Sequence, residues 1–385
     1  MRKKQTLVTC FIDLSKAYDS IHRGLAWKVF ERRGLPPKLL ELVRDLHQGT
    51  YCALREDHKR ADAWFEVKTG FKQGDVNAPM LFNLFIDTVM RCLEPMLKQS
   101  GIKLVYQVDG QLRECKHRDK HEIAWALMYA DDIALVTESV HQMQAAIALA
   151  DSTFAQWGLE LSIKKTKVMG TGVDVPMPIT LDRGQVESVG HFRYLGSVFS
   201  SDNSIKSELA ARLSKAGGAF HRFGKLWRDA HLARDIKLSI YKTVVLATLL
   251  YGCESWAASQ VQICSLQTFH MRCLRKICRI SLWQRQTNDE IMTLAKMESI
   301  TALVSFRRLR WLGHMARMEY IRLPKQLLFG GIEQNCRANA GRPPKSWQDY
   351  VREDLALLKM SYDWFRFTQN RETWRSRIQG LQTHT

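Results

Sequence analysis

The sequence predicts an α+β domain followed by an α-helical region, and three observations carry this reading. Strand-like and helix-like runs alternate up to about residue 200, and helical periodicity takes over from Ser204. At 385 residues, 45% hydrophobic and 25% charged, the chain can bury a sizeable core in two or three structural units. The formal charge of +18 is uneven: residues 1–203 carry +2, residues 204–263 carry +5, and residues 264–385 carry +11. A near-neutral front and a basic rear suggest a core with an attached polyanion-binding region; the plainer alternative is a solvated basic face.

Taken in order, Thr6 to Ile12 is a nearly continuous apolar run closed by Asp13, as expected of a buried strand. Pro36-Pro37 opens a helix with Leu39, Leu40, Leu42, Val43 and Leu46 at helical spacing. Trp64 to Lys68 alternates like a strand, Leu81 to Leu97 is a long helix, and Val108 to Gln111 is a hairpin turn. Ile123 to Tyr129 and Ile133 to Thr137 form a second hairpin, whose tip is Ala130-Asp131-Asp132. Val140 to Trp157 is helical and stops at Gly158. Short strands follow at Ile179–Leu181, Val186–Val189 and Phe192–Val198, then helices near 205–228, 235–250 and 262–280. The boundaries fall near 170–200 and near 260.

Several classes are disfavoured. The longest apolar stretch, Val244 to Tyr251, is far short of the roughly 20 residues of a membrane span. The basic start and Leu7–Ile12 mimic a secretory leader, but Asp13 cuts the run and no small-residue cleavage site follows, so secretion is not expected. Nine cysteines, mostly alone in apolar segments, fit reduced intracellular thiols. His270, Cys273 and Cys278 lack a second ligand pair at zinc spacing.

The chemistry concentrates in acids at strand ends. Asp13 closes the first strand and Asp131-Asp132 sit on the hairpin tip. If those strands are neighbours, three carboxylates converge, and like charges that close call for a cation. Oxygen-only ligands select a hard divalent ion, Mg²⁺ ahead of Zn²⁺. Adjacent strand residues point to opposite faces, so Asp131 is the firmer ligand unless the turn rotates Asp132 back. The alternative is a polar turn at Asp131-Asp132 and a helix cap at Asp13.

These residues also carry a family resemblance. Phe11-Ile-Asp-Leu-Ser-Lys-Ala-Tyr-Asp-Ser20 resembles motif A of reverse transcriptases, in the form typical of non-LTR retrotransposons. Gly70 to Pro79, followed by Leu81-Phe82, resembles motif B, and Tyr129-Ala-Asp-Asp132 is the motif C tetrapeptide. Gly158 to Thr166 resembles motif D and Phe192-Arg-Tyr-Leu-Gly196 the primer-grip motif E. Five motifs in family order are specific where one tetrapeptide is not. Two positions depart from the pattern: Ala78 stands where serine is usual, and Ser162 where asparagine is usual.

The resemblance implies a right-hand palm, an antiparallel sheet with helices, over residues 1–200. It implies a helical thumb over 201–260 and a basic nucleic-acid-binding region over 261–385. Asp13 and Asp131 would hold two Mg²⁺ ions, with Mn²⁺ able to substitute, Asp132 in support and the Leu14 carbonyl as a main-chain ligand. Tyr18 would exclude the 2′-hydroxyl of incoming nucleotides. Gln73 and Gly74 would line the template–nucleotide pocket, and Lys165 would protonate the leaving pyrophosphate. Arg307 to His314 and Ala340 to Lys345 resemble the downstream region of such elements, and Gly341-Arg342-Pro343 suggests a minor-groove hook or a plain basic turn. Trp311 and Trp347, among basic residues, could stack on unpaired bases if exposed.

The implied activity is RNA-directed DNA polymerisation on an RNA template and DNA primer, using deoxynucleoside triphosphates. No membrane is expected to be involved, and an intracellular, nuclear location is expected, with the cytoplasm, as a ribonucleoprotein, the alternative. Motif A opens ten residues after Met1, so the upstream fingers and an endonuclease domain are expected to be absent. The alternative function is a catalytically silent nucleic-acid-binding remnant. An RNA-dependent RNA polymerase is disfavoured by Tyr18.

Overall fold

The computed structural model describes residues 7–56, 59–72, 74–106, 112, 120–171, 178–332, 345–360 and 363–383. The expected turn at Val108 to Gln111, the Gly341-Arg342-Pro343 triplet and Gln73 lie outside them. Two compact units divide the chain: residues 4–103 with 123–195, and residues 104–122 with 196–385 in the other.

The first unit begins with β1 (Leu7–Ile12), followed by α1 (Ala17–Ser20), α2 (Arg23–Arg32), α3 (Pro37–His47) and a hairpin of β2 (Tyr51–Glu56) and β3 (Lys59–Glu66). Next come α4 (Ala78–Leu97), then β4 (Ile102–Tyr106) and β5 (Lys120–Ala124), within which the unit boundaries fall, and β6 (Ala126–Tyr129), β7 (Asp132–Thr137) and α5 (Val140–Gln156). It ends with β8 (Lys167–Thr171), β9 (Ile179–Leu181), β10 (Gly184–Ser188) and β11 (His191–Tyr194). Six strands form one sheet in the order β6-β7-β1-β8-β10-β9, with β1 antiparallel to both neighbours. β1 is apolar but for Thr9 because both its faces are covered. Val8, Cys10 and Ile12 face a core shared with Phe82, Phe85 and Val89 of α4 and Ile147 and Phe154 of α5. Phe11 faces the other way and stacks on Phe192 at 4.1 Å. α4 starts three residues before the expected Leu81, with Pro79 in its first turn, and α5 is capped by the Ser139 side chain accepting from Gln142 N.

Two expected strands are broken. Ile123–Tyr129 is not one strand but β5 and β6, and Phe192–Val198 ends after Tyr194, where Leu195 and Gly196 adopt positive φ of 47° and 85°. Pairing resumes only in β12 (Ser197–Ser200).

The second unit is almost wholly helical: α6 (Lys206–Arg222), α7 (Gly224–Arg228), α8 (Arg234–Ile240), α9 (Ala247–Leu249), α10 (Gln260–Cys278), α11 (Asn288–Ala295), α12 (Ile300–Arg317) and α13 (Leu323–Leu328). β13 (Gly330–Ile332) pairs with residues 104–106 of β4, and α14 (Trp347–Leu357), α15 (Trp364–Thr368) and α16 (Arg371–Thr383) close the chain. The helix expected over 235–250 is interrupted by a π-helical stretch at Tyr241–Leu246. One core runs from Leu209 to Val304, on both sides of residue 260. A second gathers Leu309, Leu312, Phe329, Val351, Trp364 and Trp374. No helix among the described residues is long and apolar enough to cross a membrane.

Part of the basic tail is structural. Arg308 is buried, and its Nη1 donates to Asp354 Oδ2 at 2.6 Å while Ser305 Oγ serves Oδ1 at 2.6 Å. Trp347 Nε1 donates to the Glu254 carbonyl at 2.7 Å, and Trp311 packs against the second core. Both tryptophans are half-buried in helix packing, so the exposure on which stacking depended is not met.

His270 is fully buried, with Nδ1 in hydrogen-bond contact with the Tyr241 hydroxyl at 2.8 Å. Burial lowers its pKa from 6.5 to about 4, against an opposing hydrogen bond with the Glu298 backbone. Between those values the unfolded chain binds a proton that the folded chain does not, so stability falls as pH falls through this window. From pH 7 to pH 5 this group should remove about 2 kcal/mol, and His270→Asn should flatten that part of the slope in urea titrations. An identical slope in both proteins would assign the acid sensitivity to other groups.

Candidate active site

Beyond β1 the chain is laced to residues 160–166. Ser15 N donates to the Glu160 carbonyl at 2.7 Å, Leu14 bridges Leu161, and Ser162 N donates to the Asp13 carbonyl at 2.9 Å. The Asp13 N–H reaches Thr166 Oγ1 at 3.2 Å. Asp13 is therefore fixed by its own backbone, and it caps no helix: α1 starts after Lys16, with no side-chain cap. The Leu14 side chain is in the core, which leaves only its backbone for a ligand role. Ser162 contributes through its backbone N–H, so the departure from asparagine leaves this bond untouched.

Sheet register brings the acids together. β1 and β7 pair Ile12 with Ile133, so the next residues outward are Asp13 and Asp132. Tyr129 pairs with Asp132, leaving Ala130-Asp131 as a two-residue turn with Ala130 at φ 55°. That left-handed conformation is uncommon for a residue with a Cβ. Burial, then the charges of Asp131 and Asp13, raise the Asp132 carboxyl above its usual range. Burial and then Asp131 raise the Tyr18 hydroxyl. The three acids and Tyr18 thus share one electrostatic neighbourhood. Lys165 Nζ lies 3.3 Å from Asp13 Oδ2, an ion-pair separation, yet that buried oxygen makes no hydrogen bond. With Lys165 largely exposed, the pair adds little stability. Among the described residues, no three His, Cys, Asp or Glu side chains stand close enough to form a metal cage unaided.

Motif B is locked to motif A by backbone contacts. Gly70 N donates to the Ile21 carbonyl at 2.8 Å and Phe71 N to the Tyr18 carbonyl at 2.9 Å. Arg23 donates to three carbonyls, Gly70 at 2.9 Å, His47 at 2.6 Å and Val67 at 2.8 Å. The Tyr18 ring stacks on Phe82 at 4.2 Å and 17°. Gly74 is exposed at φ 89° with open space where a side chain would be. Ala78 is buried at the start of α4, where a methyl fits without an unpaired hydroxyl.

Sequence reasoning missed Arg23, Thr166 and Tyr194. The Tyr194 hydroxyl donates to the Asp132 carbonyl at 3.3 Å, its ring packs on Phe11 at 5.4 Å, and burial followed by the Asp132 charge pushes its pKa up to about 12. Its place in motif E was the only signal.

This arrangement, acids on paired strands with a lysine-bearing segment tied beneath them, carries the motif order read from the sequence. The chain belongs to the reverse transcriptase (RNA-dependent DNA polymerase) family, whose model matches residues 1–199. Its relatives are of the non-LTR retrotransposon kind, as expected. It is 24% identical over 271 residues to a transposon-derived protein of Caenorhabditis elegans, covering 67% of this chain and 96% of that protein. It is 23% identical over 306 residues to the RNA-directed DNA polymerase from mobile element jockey of Drosophila funebris, covering 75% of this chain and 30% of that protein. A solved telomerase from Candida albicans has 12% identity and a TM-score of 0.35, covering 77% of this chain and 47% of that chain. The chain thus spans nearly all of the nematode protein but under a third of the jockey polymerase.

Proposed function

We propose that this chain catalyses RNA-directed DNA synthesis, joining deoxynucleotides to a primer 3′-hydroxyl, with residues 1–200 as palm, 201–260 as thumb and 261–385 as a basic nucleic-acid-binding region. The observation that carries the reading is the register that sets Asp132 beside Asp13, with Asp131 in the adjoining turn. Crowded carboxylates and a buried, hydrogen-bond-free Asp13 oxygen fit a divalent cation, and an all-oxygen donor set fits Mg²⁺, or Mn²⁺ in its place. Asp13 and Asp131 would hold it, with Asp132 and the Leu14 carbonyl in support. Bound ions would stabilise the charge that develops on attacking and leaving oxygens.

The chain's own groups supply the rest. Lys165, placed beside Asp13, would protonate the departing pyrophosphate. Tyr18, braced by Phe82, presents its ring to the sugar of an incoming nucleotide. Gly74, with Gln73 beside it, leaves room for close approach of a template–nucleotide pair. The deciding experiment is primer extension on an RNA template with Mg²⁺, by this chain and by any longer open frame that carries it. Extension supports the reading, and binding without extension from either would replace it with a silent nucleic-acid binder.

Sugar choice tests Tyr18 separately. Tyr18→Ala should raise the ribo/deoxy incorporation ratio by about tenfold or more, the scale of discrimination a pocket gains from excluded volume. Tyr18→Phe keeps the ring and the Phe82 stack and should leave the ratio unchanged. A ratio that stays fixed in Tyr18→Ala would reduce Tyr18 to a packing residue.

A further inference from the structure

The loop between α10 and α11 carries Trp283 at 93% exposure, although tryptophan is the residue with most to gain from burial. Its ring makes no aromatic or cation contact among the described residues. The loop is not loose. Arg275 Nη2 holds the Gln286 carbonyl at 3.0 Å and Asn288 Oδ1 at 3.3 Å, and Ser281 N donates to Gln284 Oε1 at 3.0 Å. An apolar ring is thus presented to solvent on a braced support.

The surroundings are basic. Residues 222–235 and 272–285 hold nine Lys/Arg against two Asp/Glu, Asp229 and Asp235. Arg279 Nη2 donates to the Arg228 carbonyl at 2.9 Å, tying the C-terminus of α10 to α7. Lys276 Nζ lies 5.7 Å from the Phe220 ring centroid on α6, so the three helix ends share one edge. Arg222, Arg228, Lys276, Arg279 and Arg285 are all exposed there. Nine cations against two acids around the ring call for a polyanion, and a phosphate backbone supplies one at regular spacing. Cations around one free aromatic face match a phosphate backbone carrying unpaired bases.

We propose that this edge binds single-stranded nucleic acid, with one unpaired base stacked on Trp283 and the flanking phosphates neutralised by Lys276, Arg279 and Arg285. The inference rests on the reading of the chain as a nucleic-acid enzyme but needs no polymerisation. Any base can stack, so sequence preference should be weak, and a fully paired duplex should not reach the ring.

The test is titration of the whole chain with a short oligo(dT) and oligo(U), reading tryptophan fluorescence and affinity at several salt concentrations. Single strands should quench a component that is missing in Trp283→Ala, and that variant should bind about 5- to 150-fold more weakly, while Trp283→Tyr retains most of the affinity. Lys276→Gln with Arg285→Gln should reduce the salt slope by about 1.4, at roughly 0.7 per lost contact on a single strand. Equal oligonucleotide affinity for wild type and Trp283→Ala overturns the proposal. Self-association that only Trp283→Ala abolishes, with unchanged oligonucleotide binding, overturns it in favour of a protein contact. Asp131→Asn separates this inference from the polymerase reading: it should remove extension and leave the Trp283 quench intact.

Discussion

Asp131→Asn is expected to lower primer extension on an RNA template by about a thousandfold or more, the scale of several kcal/mol that a misplaced metal would forfeit. Duplex affinity should stay within about twofold, because that affinity comes from many phosphate contacts rather than from one acid. The substitution is nearly isosteric, and Asp131 sits in an exposed two-residue turn, so folding should be unaffected. Its charge also presses on Asp132 and on Tyr18. Removing it relaxes both groups toward their ordinary pKa values, an independent sign that the cluster has been perturbed while intact. Extension at more than a few per cent of the parent rate would take Asp131 out of the metal-holding set. In that event Asp132, which the register places nearer Asp13, becomes the stronger candidate.

The acids were legible because each closes an apolar run, and a strand's register is set by such runs. β1 and β7 pair so that their buried residues face the same core, and the polar residue that ends each run follows automatically. Other features left a weaker trace. α2 buries only Ala26, Val29 and Phe30 among exposed charges, too sparse an apolar face to announce a helix. β8 contains Gly170 and begins with Lys167, which pairs with Glu187 at 2.6 Å, so its composition masks a strand next to the centre of the sheet. The break after Tyr194 depends on Leu195 taking a left-handed conformation, a choice its side chain does not signal. Basic residues were the most misleading. Arg308 counts toward the basic tail yet is buried against Asp354, and Arg23, which nothing in the sequence singles out, spends its donors on three carbonyls. Charge counts show that a surface is positive overall but not which cations face solvent; only partners and burial decide that. Trp283 is the counterpart, the tryptophan that local sequence did not distinguish from those that pack.

Two glycines of motif B should respond to alanine to different degrees and for different reasons. At Gly70 a Cβ would lie 2.6 Å from Asp19 Cα and 2.6 Å from the Tyr18 carbonyl oxygen, with φ at 74°. Both obstacles are backbone, held by the Gly70–Ile21 and Phe71–Tyr18 hydrogen bonds, so neither can swing aside. Left-handed strain of about 1–3 kcal/mol adds to overpacking of about 1–3 kcal/mol, giving a loss of about 2–6 kcal/mol for Gly70→Ala. That approaches the whole stability of many domains, so the midpoint of urea unfolding should drop sharply, and Tyr18 should be displaced from Phe82 in whatever folds. Gly74 shares the positive φ, at 89°, but nothing lies within 4 Å of its missing Cβ. Gly74→Ala should therefore lose only the conformational part, about 1–3 kcal/mol, and fold normally. If the open space at Gly74 is where a template–nucleotide pair approaches, extension by that variant should fall well beyond its loss of stability, with KM for the nucleotide rising. Equal unfolding midpoints for the two variants would refute the clash at Gly70. Unchanged KM in Gly74→Ala would mean the space there is not used by substrate.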